Sequence, residues 1–171
     1  YGIIETLESK FDEVNVMNEL VYRNLSEDAK RQICAWKYGG EYDLYNLPSY
    51  EEMQVRQIGF MNPQREKNYY GFWDESILVG FVNILEEKEE VFIGIGVNPD
   101  LCNKHYGQRM LLITYEISKK LYPNKPLYLE VRTWNIRAVK CYQKAGFRID
   151  GQAYELTTGI GTGAFYRMIR E

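Results

Sequence analysis

Hydrophobic and polar positions follow two different periods along this chain, and the changes of period mark out its elements. Over residues 1–20, Ile4, Leu7, Phe11, Val14 and Met17 recur at three- and four-residue steps, the spacing of an amphipathic helix. This stretch is expected to be an N-terminal helical extension, packed on the core or offered to a partner, ahead of a single domain over 21–171. "LVYRNL" (20–25) predicts a strand, and Ser26 with Glu27 and Asp28 predicts the start of a helix that runs to about Trp36. A Gly- and Tyr-rich connection, "KYGGEYDLYNLP" (37–48), leads to Ser49, which can cap a second helix rich in Glu and Met.

From there the period shortens to two. "NYYGFWDE" and "SILVGFVNILEE" predict a hairpin, and "EVFIGIGVNP" a near-continuous apolar strand. The second half reads strand (91–97), turn, helix (about 107–121), strand (127–131), helix (137–145), with Pro123 and Pro126 before the second strand. Two strands close it, "FRIDGQAYEL" and "GAFYRMIR". This order predicts an α/β fold with a mixed sheet and one parallel central pair.

Composition narrows the function classes. The 171 residues suit one domain with a full core, and 45% hydrophobic with 26% charged residues describe an ordinary globular protein. A net charge of −3 argues against nucleic acid or an anionic membrane as partner, and no apolar run approaches the length of a membrane span. Cys34, Cys102 and Cys141 are odd in number and widely spaced, which argues against a disulfide framework or a structural zinc site. His105 is the single histidine, so no metal site is expected and a Ser-His-Asp triad would have to use it. Together with the lack of a signal peptide, this predicts a reducing, cytoplasmic setting. Fifteen tyrosines suit half-buried sheet surfaces or a cleft lined with phenols.

The two strand-to-helix crossovers put helix N-termini at the carboxyl ends of adjacent strands, where open α/β sheets bind ligands. In "NPDLCNKHYGQRM" (98–110), backbone amides and the helix dipole would favour a phosphate or pyrophosphate. Gly107 is the loop's single glycine, but Asn103 and His105 belong to the types enriched at positive φ. They suit an anion loop that has kept its path while losing glycines; an ordinary turn is the plainer alternative. In "EVRTWNIRAVKCYQKAGF" (130–147), Asn135 stands at an N-cap position and Gly146 at a left-handed C-cap, with Phe147 just beyond. Ala138, Cys141, Tyr142 and Ala145 share one helix face, mostly small with one phenol in the middle.

Leu129, Val131, Asn135, Ala138, Tyr142, Gly146 and Phe147 keep every spacing of the pattern L-x-V-x-x-x-N-x-x-A-x-x-x-Y-x-x-x-G-F. The stretch thereby resembles the second conserved segment of the GNAT superfamily of N-acetyltransferases. "LEVR" (129–132) is similar to the branch that acetylates protein N-termini, such as the ribosomal-protein alanine acetyltransferases. Upstream, Val97, Pro99 and Gly107 match the family's V-x-P-x-x-[QR]-x-x-G-x-[GA] segment, with Cys102 in place of Gln or Arg and His105 in place of the first glycine.

The resemblance implies a GNAT-type mixed, mostly antiparallel sheet whose parallel central strand pair splays apart, with flanking helices. It implies acetyl-CoA as cosubstrate, no metal, and direct transfer to a primary amine, either a peptide N-terminus or a small molecule. The backbone of Ile95, Gly96 and Val97 would pair with the pantetheine arm. Amides of Asn103, Lys104, His105, Tyr106, Gly107 and Gln108 would hold the pyrophosphate. Asn135 would bond the arm unless it is a cap alone, and Ala138 would stay small to let the arm pass. Tyr142 would be the general acid and Glu130 the base, with Glu90 or an ordered water chain as alternatives; half-buried packing and a solvated carboxylate are their plain readings.

The acceptor pocket would draw on "WKYGGEYDLYNLPSY", "NYYGFWDE" and "LTTGIGTGAFY", where aromatic residues and Glu41, Asp43 and Asp74 suit a cationic amine. Glycines 159, 161 and 163 suit a mobile flap or a hairpin turn. A non-catalytic CoA-binding sensor or assembly module on the same fold is the rival reading. A homodimer stays open.

Overall fold

The computed structural model describes residues 20–171, so the helix expected over 1–20 lies outside the described residues apart from Leu20. β1 (Val21–Asn24) leads into α1 (Glu27–Ala35), and a 3₁₀ segment (Gly40–Tyr45) separates this from α2 (Tyr50–Arg56). Both helices begin where a serine can cap them. The Ser26 hydroxyl accepts from the Ala29 amide at 3.1 Å, and Ser49 does the same for Glu52 at 3.1 Å.

β2 (Tyr69–Asp74) and β3 (Ile77–Glu86) form the expected hairpin, with Glu75 at φ 52° in its turn. β4 (Val91–Val97) then runs against β3 over its whole length, from Gly80↔Val97 to Glu86↔Val91. α3 (Tyr106–Leu121) crosses to β5 (Leu127–Arg132), and α4 (Ile136–Lys144) follows. Three strands close the chain, β6 (Arg148–Ile149), β7 (Tyr154–Thr158) and β8 (Gly161–Arg170), and β6 and β7 both pair with β8. Neighbours run β1-β2-β3-β4-β5-β8-β6, with β7 beside the first half of β8. All pairs are antiparallel except β4–β5.

"FRIDGQAYEL" is therefore two short strands and not one. Gly151 turns the chain at φ 77°, while the Asp150 amide donates to the Arg167 carbonyl at 2.9 Å and the Asp150 carboxylate accepts from Arg167 Nε at 3.3 Å. These contacts pin the break, and the two pieces pair with opposite ends of β8.

Alternation along the strands divides the core into two layers. Ile84, Ile93, Leu129, Val131 and Met168 pack against Met110 and Leu111 of α3 and Val139 of α4. On the other face, Trp73 and Leu78 pack with Ile33 of α1, Met53 of α2 and Phe60.

One seam in this sheet is incomplete. β4 and β5 pair only at Val91↔Leu127 and Phe92↔Tyr128, after which both strands run on without meeting. β5 takes its remaining partners on its other edge, where six residues pair with β8. The parallel centre thus opens toward its carboxyl end, as the resemblance implied.

Candidate active site

The opening between β4 and β5 is a cavity of about 750 Å³. Its floor is the parted strands, and its sides are the turn before α3, one face of α4, the 3₁₀ segment and the β7–β8 hairpin. Among the expected site residues, Ile95, Gly96, Val97, Asn103, His105, Tyr106, Gly107, Gln108, Glu130, Asn135, Ala138 and Tyr142 all line it. Lys104 does not: it is exposed on the outside of the turn.

The turn before α3 takes the backbone path expected of an anion loop. Asn103 and His105 sit at φ 64° and 65°, a left-handed conformation in which an ordinary side chain costs about 1–2 kcal/mol. Asn98 starts the turn, its side chain accepting from the Asp100 amide and donating to the Leu78 carbonyl. His105 occupies the N-cap position of α3 without a side-chain cap bond. The first amides of α3 therefore end at the cavity wall with the positive end of the helix dipole. Gly107 serves packing as well: a Cβ there would lie 3.0 Å from Cys141 Sγ, so the glycine lets the start of α3 approach the second half of α4 closely.

α4 is built differently. The Asn135 side chain accepts from the Ala138 amide at 3.2 Å and donates to the Tyr45 hydroxyl at 3.2 Å, so it caps the helix and also ties down the 3₁₀ segment. Trp134 adds to this tie, its ring centroid 5.7 Å from that of Tyr42 and 6.1 Å from that of Tyr45. At the other end, Gly146 at φ 91° forms a Schellman stop, with the Phe147 amide on the Tyr142 carbonyl and the Gly146 amide on that of Gln143. Tyr142 is thus held in the last full turn, facing the cavity with Ala138 and Cys141. Burial pushes its phenol above the ordinary range, with Cys141, Tyr45 and Tyr38 adding to the effect and Arg137 opposing it. It keeps its proton at neutral pH and can act only as an acid there.

Glu130 lines the cavity from β5 and accepts a short hydrogen bond from the Tyr154 hydroxyl on β7. Glu90 is removed from this region: it precedes β4, at the end where the central strands are still paired, and forms a forked ion pair with Arg167. Glu41 and Asp43 are exposed, and Asp74 accepts from the Tyr106 hydroxyl at 2.6 Å; none of the three lines the cavity. The aromatic wall is present in Trp36, Tyr38, Tyr45, Phe81 and Phe165, but the carboxylates expected beside it are not.

Several lining residues escape a reading of sequence. Arg137, Lys140 and Lys144 place three cations on one face of α4, and their three- and four-residue spacing is a signal that could have been read. Tyr38 donates to the Val97 carbonyl at 2.6 Å across 59 residues, and nothing local announces it. Arg132 lines the cavity two residues after Glu130.

The residues present fit acetyl-CoA. An open strand edge can receive an amide-bearing arm, and the uncapped start of α3 together with the α4 cations suits its phosphates. Among the described residues, no group of His, Cys, Asp and Glu could hold a metal, and no helix is long and apolar enough to cross a membrane.

A parallel pair that parts in this way, beside a helix start that suits phosphates, is the arrangement that the resemblance to the GNAT superfamily implied. Residues 25–147 match the model of the acetyltransferase (GNAT) family, and the chain belongs to that family. The fold is shared with the spermidine N-acetyltransferase of Vibrio cholerae solved with CoA and spermine, at 18% identity and a TM-score of 0.70 over 89% of this chain and 95% of that one. It is shared also with a GNAT-family acetyltransferase from Bacillus anthracis, at 16% identity and a TM-score of 0.68 over 88% and 93%. AAC(6')-Ib in complex with ribostamycin and coenzyme A is similar at 16% identity and a TM-score of 0.65, over 86% and 92%. No curated protein matches the chain significantly. Likeness at these identities concerns the fold and does not sort the chain into the peptide-acetylating branch suggested by "LEVR".

Proposed function

We propose that this chain transfers an acetyl group from acetyl-CoA directly to a primary amine within the opening between β4 and β5. The observation that carries the reading is that Tyr142 of α4 and Glu130 of β5 both line the cavity where β4 and β5 part. The edge of β4 at Ile95, Gly96 and Val97, which β5 does not pair and where Tyr38 holds the Val97 carbonyl, receives the pantetheine arm, and Ala138 leaves it room. The start of α3, from Asn103 to Gln108, holds the pyrophosphate, with Arg137, Lys140 and Lys144 adding charge. Asn135 orients the arm through the amide proton that its bond to Tyr45 leaves over.

When bound, acetyl-CoA supplies an acetyl group activated as a thioester. Glu130, oriented by Tyr154, takes the proton that the amine must lose as its nitrogen bonds the carbonyl carbon. Tyr142 gives its proton to the sulfur as the carbon–sulfur bond breaks and the sulfur takes the electron pair. Glu130 gains one proton and Tyr142 loses one, so the net charge of the pair is unchanged, and proton exchange with solvent returns Glu130 to the carboxylate and Tyr142 to the phenol. The Tyr142 phenol, pushed up by burial, is protonated at neutral pH and so has a proton to give.

Titration with acetyl-CoA followed by CoA release over an amine panel tests the reading. Micromolar binding and amine-dependent release support it. Binding without release on any amine would favour a CoA-binding module instead, and no binding at millimolar acetyl-CoA would remove both.

A further inference from the structure

Arg132 closes β5 with only 7% of its surface exposed. Its Nη2 donates to the Gly161 carbonyl at 3.2 Å, its guanidinium lies 4.9 Å from the Phe165 ring centroid, and its Nε is buried without any hydrogen-bond partner. Among the described residues, no carboxylate lies within ion-pairing distance of it. Lys30 shows what the protein does elsewhere: that buried cation, 3% exposed, is held by Glu27 at 2.8 Å and Glu66 at 2.6 Å. A buried charge left unpaired is costly, so Arg132 stands out as a cation whose counter-ion the described chain does not supply.

The surroundings make room for this side chain. A Cβ at Gly163 would lie 2.1 Å from Arg132 Nη1, so β8 carries a glycine where the guanidinium rests. Arg132 also lines the cavity. Leu129 and Val131 pack into the core with α4, so strand alternation places Glu130 and Arg132 together on the other face of β5, about 6.6 Å apart along the strand. That is the side away from the core helices α3 and α4, so a phosphate at the start of α3 is not the natural partner of Arg132.

Given the acetyl-transfer reading above, on which this step rests, we propose that Arg132 binds a carboxylate of the acceptor. The substrate class is then an amine that also bears an acid, such as an amino acid or short peptide, with the amine at Glu130 and the carboxylate on the planar guanidinium fork. A polycationic amine would meet an uncompensated positive charge in the same pocket.

The test compares kcat/KM for glycine and glycylglycine with that for their C-terminal amides, with spermidine as a third arm. The acids are expected to be favoured about 10- to 100-fold over the amides. In Arg132→Gln that ratio should fall to near one, and in Arg132→Lys to an intermediate value, while acetyl-CoA titrates as in the wild type. Equal turnover of acid and amide by the wild type, a ratio that survives in Arg132→Gln, or a preference for spermidine would each overturn the proposal. If no amine is acetylated at all, the functional reading fails, and thermal unfolding still decides the site. Glycylglycine, but not its amide, should raise the melting temperature of the wild type and leave that of Arg132→Met unmoved. Without ligand, Arg132→Met should melt no lower than the wild type. A lower value, or no effect of glycylglycine, would make Arg132 only a tether of the hairpin.

Discussion

α3 and α4 both leave the carboxyl ends of the parted strands, yet they treat their first amides in opposite ways. α4 satisfies its own start with Asn135, as α1 and α2 do with Ser26 and Ser49. α3 has no side-chain cap, and the two residues that shape its approach, Asn103 and His105, lie in a conformation most side chains avoid. Both departures cost free energy, a missing cap about 1 kcal/mol and a left-handed residue about 1–2 kcal/mol. Such costs persist where a ligand benefits from them. Under the proposed function the contrast gives the two helices different work: α3 to bind charge through its backbone, α4 to be a rigid mount for side chains.

The sharpest way to break this division is Tyr142→Phe, which should lower kcat about 10²- to 10⁴-fold in steady-state assays and leave the acetyl-CoA Kd unchanged. Unchanged turnover would take the acid role from α4. Next comes His105→Asp, which puts a negative charge at the start of α3 on a residue type that tolerates positive φ. Acetyl-CoA binding, read by calorimetry, should weaken about 5- to 20-fold, and more at low salt. An unaltered Kd would mean the phosphates lie elsewhere.

Smaller still is Asn135→Ala, which removes a cap and the bond to Tyr45 and should cost about 1 kcal/mol in denaturant unfolding. The matching change at α3, His105→Ala, removes no cap bond and should show only the left-handed backbone penalty. The last prediction concerns pH. Burial raises the phenols of Tyr38, Tyr69 and Tyr142, so above the ordinary phenol value near 10 the folded chain holds more protons than the unfolded one. Stability should therefore fall as pH rises past about 10, and should not depend on these groups below it. A flat unfolding profile through that range would contradict their burial.

The same contrast shows what could be read in advance. The serine caps, the Asn135 cap and the Gly146 stop depend on contacts within a few residues, and the motif from Leu129 to Phe147 depends on spacing along one strand and the helix that follows it. Local preference settles such features, and the structure shows each where it was expected. The positive φ of Asn103 and His105 was legible for the same reason. The division of "FRIDGQAYEL" into two strands was not, because an ion pair with Arg167 and a turn at Gly151 make it. The carboxylates beside the aromatic stretches were misplaced because the 3₁₀ segment turns Glu41 and Asp43 outward, while Tyr106 holds Asp74 from 32 residues away.

By itself, then, the sequence determined the order of elements, their caps, the family pattern and the helix face that carries Tyr142. Only the tertiary structure decided that the central strands part after two pairs, that Tyr154 holds Glu130, and that Arg132 lies in the space left by Gly163. These are meetings of residues 24 or more positions apart in the chain, or of whole strands. They arise from how packed layers share space, which no short window of residues can specify.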